Sequence, residues 1–403
     1  MFSNKLCPLT FTAVLCLFLS ANSQASERLN FSGFGTLGYA ITDSDTAEYR
    51  TGKAQDGADD RGSFEVDTRL GVQADFMISH NSSATLQLLA REGGDGDPEV
   101  EAGWAFLKKQ INDSVGVRVG RIGLGLYMAS EFQEVGFAHP LLRPPEETYV
   151  QVPLYSLDGI DIIGNIDIGE TQLTFQLIAG QTKTKFFDDL DIDAKFIGGI
   201  NITAETDHWR WRITHNEGSL SVTSANLLAL GEGLSQASVF LPELADIAED
   251  FNDEYKDVSF SGIGVEYEQE KLFLQAELTT RTVDQFLPDT TAWYVVAGYR
   301  FGSFAPYAYF SQLRQNSKES IDFPDVPQLQ EAAASVENIY ASADQQSVAV
   351  GLRWDFRPNI AFKAQVEHLD FNNNGVSFSR EGGAGLVGED SANLYSVALD
   401  FIF

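Results

Sequence analysis

Between residues 64 and 78 the chain alternates without a break. Phe64, Val66, Thr68, Leu70, Val72, Ala74, Phe76 and Ile78 stand against Glu65, Asp67, Arg69, Gly71, Gln73 and Asp75. A helix would spread those charges over every face, whereas an extended strand collects them on one side. The period of two recurs. Residues 30–41 place Phe31, Leu37, Tyr39 and Ile41 on one face, and later segments do the same with Leu86, Leu88 and Ala90, and with Val100, Ala102, Trp104 and Phe106. Val115, Val117 and Val119 follow, then residues 160–181, which turn at Gly169-Glu170. Further pairs run to the last residues, giving about sixteen strands, an even number as a bacterial membrane barrel requires.

The two ends of the sequence carry separate signals. Lys5, an apolar run over residues 9–19 and Ser23-Gln24-Ala25 read as a secretory signal peptide over residues 1–25. Leu15 precedes Cys16 where lipidation requires a small residue. Both cysteines, Cys7 and Cys16, fall inside the signal, so an exported chain of 26–403 has no disulfide to hold it. A closed barrel needs none, because every backbone group is paired and no edge remains. At the other end Tyr395, Val397, Leu399, Phe401 and Phe403 alternate with Ser396, Ala398 and Asp400. This resembles the C-terminal assembly signal of bacterial outer-membrane barrels and implies the barrel-assembly machinery as a partner.

The connections alternate in length. Short turns are expected near Asn81, Asn112, Gly169, Asp207, Glu270, Ser303 and Pro358. Residues 42–62, 219–257, 315–345 and 372–390 form longer, acidic loops. Aromatic residues such as Tyr39, Trp104, Trp209, Trp211, Trp293, Trp354 and Tyr395 suit interfacial girdles. Residues 225–248 carry leucines in near-helical spacing, and two outcomes stay open: a helix at the mouth or an irregular loop.

If the apolar set faces lipid, the charged set lines the lumen, since a lipid-facing Arg or Lys at the midplane costs about 2–4 kcal/mol. Arg69, Arg91, Arg118, Arg210, Arg212, Arg281, Arg300, Arg353 and Lys363 are placed there, together with acids of the same parity. Charge of both signs suits a hydrated pore better than an apolar ligand cavity. Residues 122–156 break the alternation and contain Glu131, Glu134, Glu146, Glu147, His139 and Arg143, stiffened by Pro140, Pro144 and Pro145.

This rhythm, the loop after the fifth strand and the terminal Phe403 resemble the Gram-negative outer-membrane porin superfamily, of the 16-stranded trimeric type and as a divergent member. The resemblance implies an all-β transmembrane antiparallel barrel in the outer membrane, a homotrimer, and an inward-folded loop at 122–156 acting as the constriction. An acidic loop opposite Arg69, Arg91, Arg118 and Arg121 would set a transverse field across the narrowest point. The short Pro-Glu-Phe-Gly-Gly type element of enterobacterial general porins is absent there, and Arg143-Pro144-Pro145 stands in its place.

The formal charge of −31 makes nucleic acid an implausible partner. Acidic loops could share divalent cations with lipopolysaccharide, or draw cations to the mouth. Asp43, Asp45, Asp56, Asp59 and Asp60 match no EF-hand spacing, and no metal or cofactor is expected. The five histidines are scattered and no Gly-x-Ser-x-Gly occurs, although a Ser–His pair on adjacent strands would escape a reading of spacing. The expected function is passive diffusion of ions and small hydrophilic solutes. Two alternatives are an anion-selective channel using Arg118, Arg121, Arg210 and Arg212, and a plugged structural or adhesive barrel closed by 225–248.

Overall fold

In a computed structural model the described residues are 28–51, 56–93, 96–186, 190–284, 287–316, 323, 326–340, 343–372, 375–380 and 389–403. The signal peptide expected at 1–25 lies outside them. The strands are β1 (Leu29–Thr42), β2 (Ala47–Tyr49), β3 (Arg69–Ser79), β4 (Ser82–Glu92), β5 (Pro98–Gln110), β6 (Val115–Gly123), β7 (Ser156–Ile168), β8 (Thr171–Phe186), β9 (Leu190–Glu205) and β10 (Trp209–Thr223). They continue with β11 (Lys256–Gln269), β12 (Leu272–Val283), β13 (Thr290–Tyr299), β14 (Phe304–Gln315), β15 (Gln345–Arg357), β16 (Ile360–Phe371), β17 (Phe378–Arg380) and β18 (Ser391–Ile402).

Sixteen of these close into one antiparallel barrel, and β2 and β17 pair separately outside it. Each barrel strand lies beside its neighbours in sequence, and β1 meets β18 to seal the wall. At the seam the Phe403 N–H donates to the Gly33 carbonyl at 2.9 Å and the Gly33 N–H returns the bond at 2.8 Å. The Phe403 and Phe401 rings lie over Gly33 and Gly35, where any Cβ would collide with them.

The polarity of the barrel is inverted relative to a soluble core. Ile213 and Leu37 are about half exposed on the outer wall, at 54% and 50%, while Lys363 and Asp400 inside are at 0%. An apolar outer belt around a polar interior is what a lipid environment demands. The seven short turns fall where the sequence places them, all at one end. Gly169 turns β7 into β8 with φ 63°, and Glu270 takes the same left-handed conformation, φ 47°, between β11 and β12.

Two sequence expectations need correction. Residues 64–68 do not continue β3. The Thr68 hydroxyl accepts the Gly38 N–H at 3.1 Å and donates to the Gly38 carbonyl at 3.3 Å, standing in for the backbone ladder. Asp67 consequently folds inward and is buried. In β5 the register slips between Gln87–Trp104 and Leu88–Ala102, leaving Gly103 as the extra residue. This bulge reverses the faces, so Val100 and Ala102 point outward while Trp104 and Phe106 point in. The Arg118 guanidinium lies 5.2 Å above the Phe106 ring. Trp104 is therefore no girdle residue.

The open question over 225–248 resolves as helical. Helix α2 (Ala225–Ser238) is capped by Ser224, whose side chain accepts the Leu227 N–H at 3.2 Å. The shorter α3 (Ala245–Asp250) follows, with Ile247 and Ala248 buried. From the next long loop, α4 (Gln330–Tyr340) brings the Tyr340 hydroxyl to Asp250 at 2.5 Å and its ring against Phe251. Two long loops thus brace each other at the loop end of the barrel.

Candidate functional site

Residues 124–155, between β6 and β7, fold into the lumen and are held to the wall on several sides. A short helix, α1 (Glu146–Tyr149), lies within them. Glu131 meets Arg212 of β10, and Glu134 meets Arg91 of β4 at 2.8 Å and Arg69 of β3 at 3.4 Å. Lys363 of β16 donates to the carbonyls of Gly136 and Leu141, both at 2.7 Å, and pairs with Asp400 at 2.8 Å. Arg353 of β15 donates to the carbonyls of Phe137 and His139, both at 2.7 Å. Glu277 of β12 accepts the Met128 N–H at 2.9 Å. Tyr307 of β14 accepts the Leu142 N–H, also at 2.9 Å. Loop carbonyls and N–H groups that a helix or sheet would have paired are satisfied by side chains of the wall.

The strongest anchor is Arg143. Its Nε and Nη2 donate to the two Asp67 carboxylate oxygens at 3.0 and 2.6 Å, and Nη2 also reaches Ser396 Oγ at 2.8 Å. Burial pushes the Asp67 carboxyl up, but the charge and hydrogen bonds of Arg143, with Arg69 and Lys363, outweigh it and hold it below its usual range. Arg143 is likewise opposed by burial, and the charge of Asp67 overrides that and stabilises its protonated form. Burial, reinforced by the charges of Lys363 and Arg69, lowers His139 to about 3. Its Nε2 lies 3.0 Å from the Phe132 carbonyl and 3.2 Å from that of Gln133.

The expected field across an open gap takes a different form. Glu134 does not face Arg69 and Arg91 over solvent; it touches both. Arg118 forks onto Asp161, Arg121 onto Asp158 at 2.8 Å, and Arg210 reaches Glu205 at 3.0 Å. Together with Arg212 on Glu131, the arginines expected to form an anion ladder each hold a carboxylate. Opposite charges in a low-dielectric interior gain most at contact, which favours pairs over a standing field. Glu147 is buried and accepts from Gln345 at 2.9 Å. Glu146 opens α1. Arg300 lies away from the loop, at the turn end, paired with Glu268 at 2.7 Å.

Space beside the loop survives as two polar crevices of about 70 Å³ each. Arg91, Glu134 and Tyr155 border both; Glu101, Arg121 and Glu131 line one, and Glu65, Arg69 and Glu146 the other. Sequence reasoning missed the tyrosines that seat the loop, Tyr149, Tyr294 and Tyr307. The signal was present in parity, since Tyr294 lies between the outward Trp293 and Val295.

The five aspartates weighed for calcium do not converge. Asp43 accepts from Asn393, Asp59 pairs with Arg61, and Asp56 gathers instead with Glu65 and Glu92. A Ser–His pair does form between adjacent strands. His215 Nδ1 is 2.8 Å from Ser261 Oγ and its Nε2 is 3.3 Å from Glu217, on the outside of the barrel. β10 and β11 are paired on both sides, so their N–H groups are committed to the ladder and none is free to hold an oxyanion.

No protein-family model and no curated sequence relative matches the chain. Solved structures do. The anion-selective porin from Comamonas acidovorans aligns with TM-score 0.54 at 11% identity, over 93% of this chain and 100% of its own. The outer-membrane protein OmpT of Vibrio cholerae, folded in vitro, gives 0.54 at 11%, over 95% and 100%. The outer-membrane channel DcaP of Acinetobacter baumannii gives 0.52 at 10%, over 94% and 99%. At such identities the likeness is one of architecture, and the chain has the sixteen-stranded barrel fold of Gram-negative outer-membrane porins and channels.

Proposed function

We propose that this chain is an outer-membrane channel through which ions and small hydrophilic solutes diffuse passively, along the polar crevices beside its internal loop. The observation that carries the reading is the loop itself: residues 124–155 lie inside the barrel, tied to the wall by Arg143, Lys363, Arg353 and Glu134. A polar loop held at mid-lumen narrows a wide barrel to a charged passage, which selects by size and sign. Arg69, Arg91, Arg121, Glu131, Glu134 and Glu146 would line it. No covalent step or energy input enters the mechanism. The neighbours in fold support a trimer, and the acidic loops would face lipopolysaccharide.

One observation favours a second reading, a barrel closed until a loop moves: α2 and α3 belong to the same apolar cluster as the internal loop. Single-channel recording of the refolded protein in a planar bilayer under a salt gradient tests both. Small steps grouped in threes support the trimeric porin. Silence from a folded barrel, relieved by deleting 225–248, overturns it in favour of the plugged form.

A further inference from the structure

The sequence reading expected a lumen polar throughout, and one sector departs from it. Beyond the bulges that shift β8 at Gly180 and β10 at Ser219, the inward positions of β9 to β12 turn apolar. Ile192, Val222, Phe260 and Val283 face Leu126 and Leu154 of the internal loop around a cavity of about 160 Å³. The strand ends that form it adjoin the long loops, so it lies on the loop side of the constriction. An apolar cavity of about 150 Å³ is enough to hold a benzene ring.

One charge borders this cavity. Arg281 donates from Nη1 to the Gln151 carbonyl at 2.7 Å and from Nη2 to the Pro288 carbonyl at 2.9 Å. Its Nε is withdrawn from solvent with no hydrogen-bond partner. The other arginines placed in the lumen each hold a carboxylate, Arg353 that of Asp355 at 2.8 Å; Arg281 holds none among the described residues. Asp289 acts on it only through space, its Oδ1 being engaged by the Val283 N–H at 3.0 Å. A guanidinium without a counter-ion at an apolar wall is costly unless an anion completes it.

We propose that this cavity is a binding site for a small apolar monocarboxylate, aromatic or medium-chain, with its hydrocarbon body among Ile192, Val222 and Phe260 and its carboxylate on Arg281. The site goes beyond the channel reading, because binding does not require conduction. It would give an otherwise unspecific passage a preferred organic acid at its outer face.

The test is equilibrium binding of benzoate to the refolded protein in lipid nanodiscs, which keep detergent chains out of the cavity, with benzyl alcohol and benzylamine as comparators. Saturable benzoate binding is expected, at least tenfold tighter than either comparator. Arg281→Met should weaken it at least tenfold and Arg281→Lys less. Val222→Trp, which fills the cavity and leaves Arg281 in place, should abolish it while the barrel keeps its heat-modifiable mobility. Equal affinity for the alcohol, or unchanged binding in Arg281→Met or in folded Val222→Trp, would overturn the assignment, as would no binding to the wild-type barrel.

Discussion

Arg143 and Asp67 meet as a doubly hydrogen-bonded ion pair across 76 positions of sequence, both 4% exposed. One belongs to the internal loop and the other to the short irregular stretch before β3, so the pair fastens the obstruction to the wall. Removing one partner leaves a buried charge uncompensated, at a cost of about 3–5 kcal/mol. Arg143→Met should therefore release the loop, with larger and noisier single-channel steps. Asp67→Leu combined with it should recover part of the loss. A variant whose conductance trace matches the wild type would show that the loop is held by other means.

Acid should loosen the same loop through His139. An ordinary histidine protonates near 6.5, and burial lowers this one to about 3. The folded state thus binds fewer protons than the unfolded state between those limits, and stability falls as pH drops below about 6.5 and continues to fall towards 3. Asp67, held below its usual range, adds nothing until pH falls under the ordinary carboxylate value. Through His139, conductance is expected to change once pH falls below about 6.5. His139→Gln, which cannot take the proton, should shift that onset towards the carboxylate range.

Gly136 sits where no side chain fits. A Cβ there would lie 2.3 Å from Asp400 Oδ1 and 2.5 Å from Thr36 Oγ1, two groups joined to each other at 2.6 Å. Gly136→Ala should displace the loop from Lys363 and lower stability by about 1–3 kcal/mol, the usual range for overpacking. Urea unfolding followed by heat-modifiable mobility measures it; an unchanged midpoint would mean the loop has slack at this point.

At the seam, Gly33→Val would place a branched side chain in the space of the Phe403 ring. Folding yield in vitro should drop, and Phe403→Ala should cost less, of the order of 1 kcal/mol, because that ring is only partly buried. An equal folding yield for wild type and Gly33→Val would show that the Phe403 ring moves aside without cost to closure.

Strand existence and the side of every turn were legible because a barrel wall has one face in lipid and one in water. Period two is then enforced over nearly every strand. The exceptions are places where one residue changes the parity. Gly103 inserts into β5 and turns Trp104 inward, and Thr68 ends a strand whose apolar alternation runs on to Phe64. Neither leaves a mark in hydrophobic pattern. The loop at 122–156 was readable as an insertion, and the structure ties three of the charges named in it, Glu131, Glu134 and Arg143, to the rest of the barrel. Their pairing was not readable, because Glu134 with Arg91 or Lys363 with Asp400 depends on how a chain without periodicity crosses the lumen. Arg281 shows the same limit from the other side: parity places it inside, yet only the fold reveals that it pairs with no carboxylate among the described residues.

The small sheet of β2 and β17 gives the seam a further property. Fifteen of the sixteen wall pairings join strands that follow one another in sequence and need only a local turn or loop. The last, β1 with β18, joins residues such as Gly35 and Phe401 from opposite ends of the described chain. Directly beyond it, Tyr49 pairs with Phe378 and its ring meets that phenylalanine edge-on at 5.6 Å. Those two segments become neighbours only once the wall has shut. They act as a clasp fastened after the zip: an opening that starts at the loop end must first undo β2 from β17. The weakest line of the cylinder, the one with no connecting chain, is thereby the one closed twice.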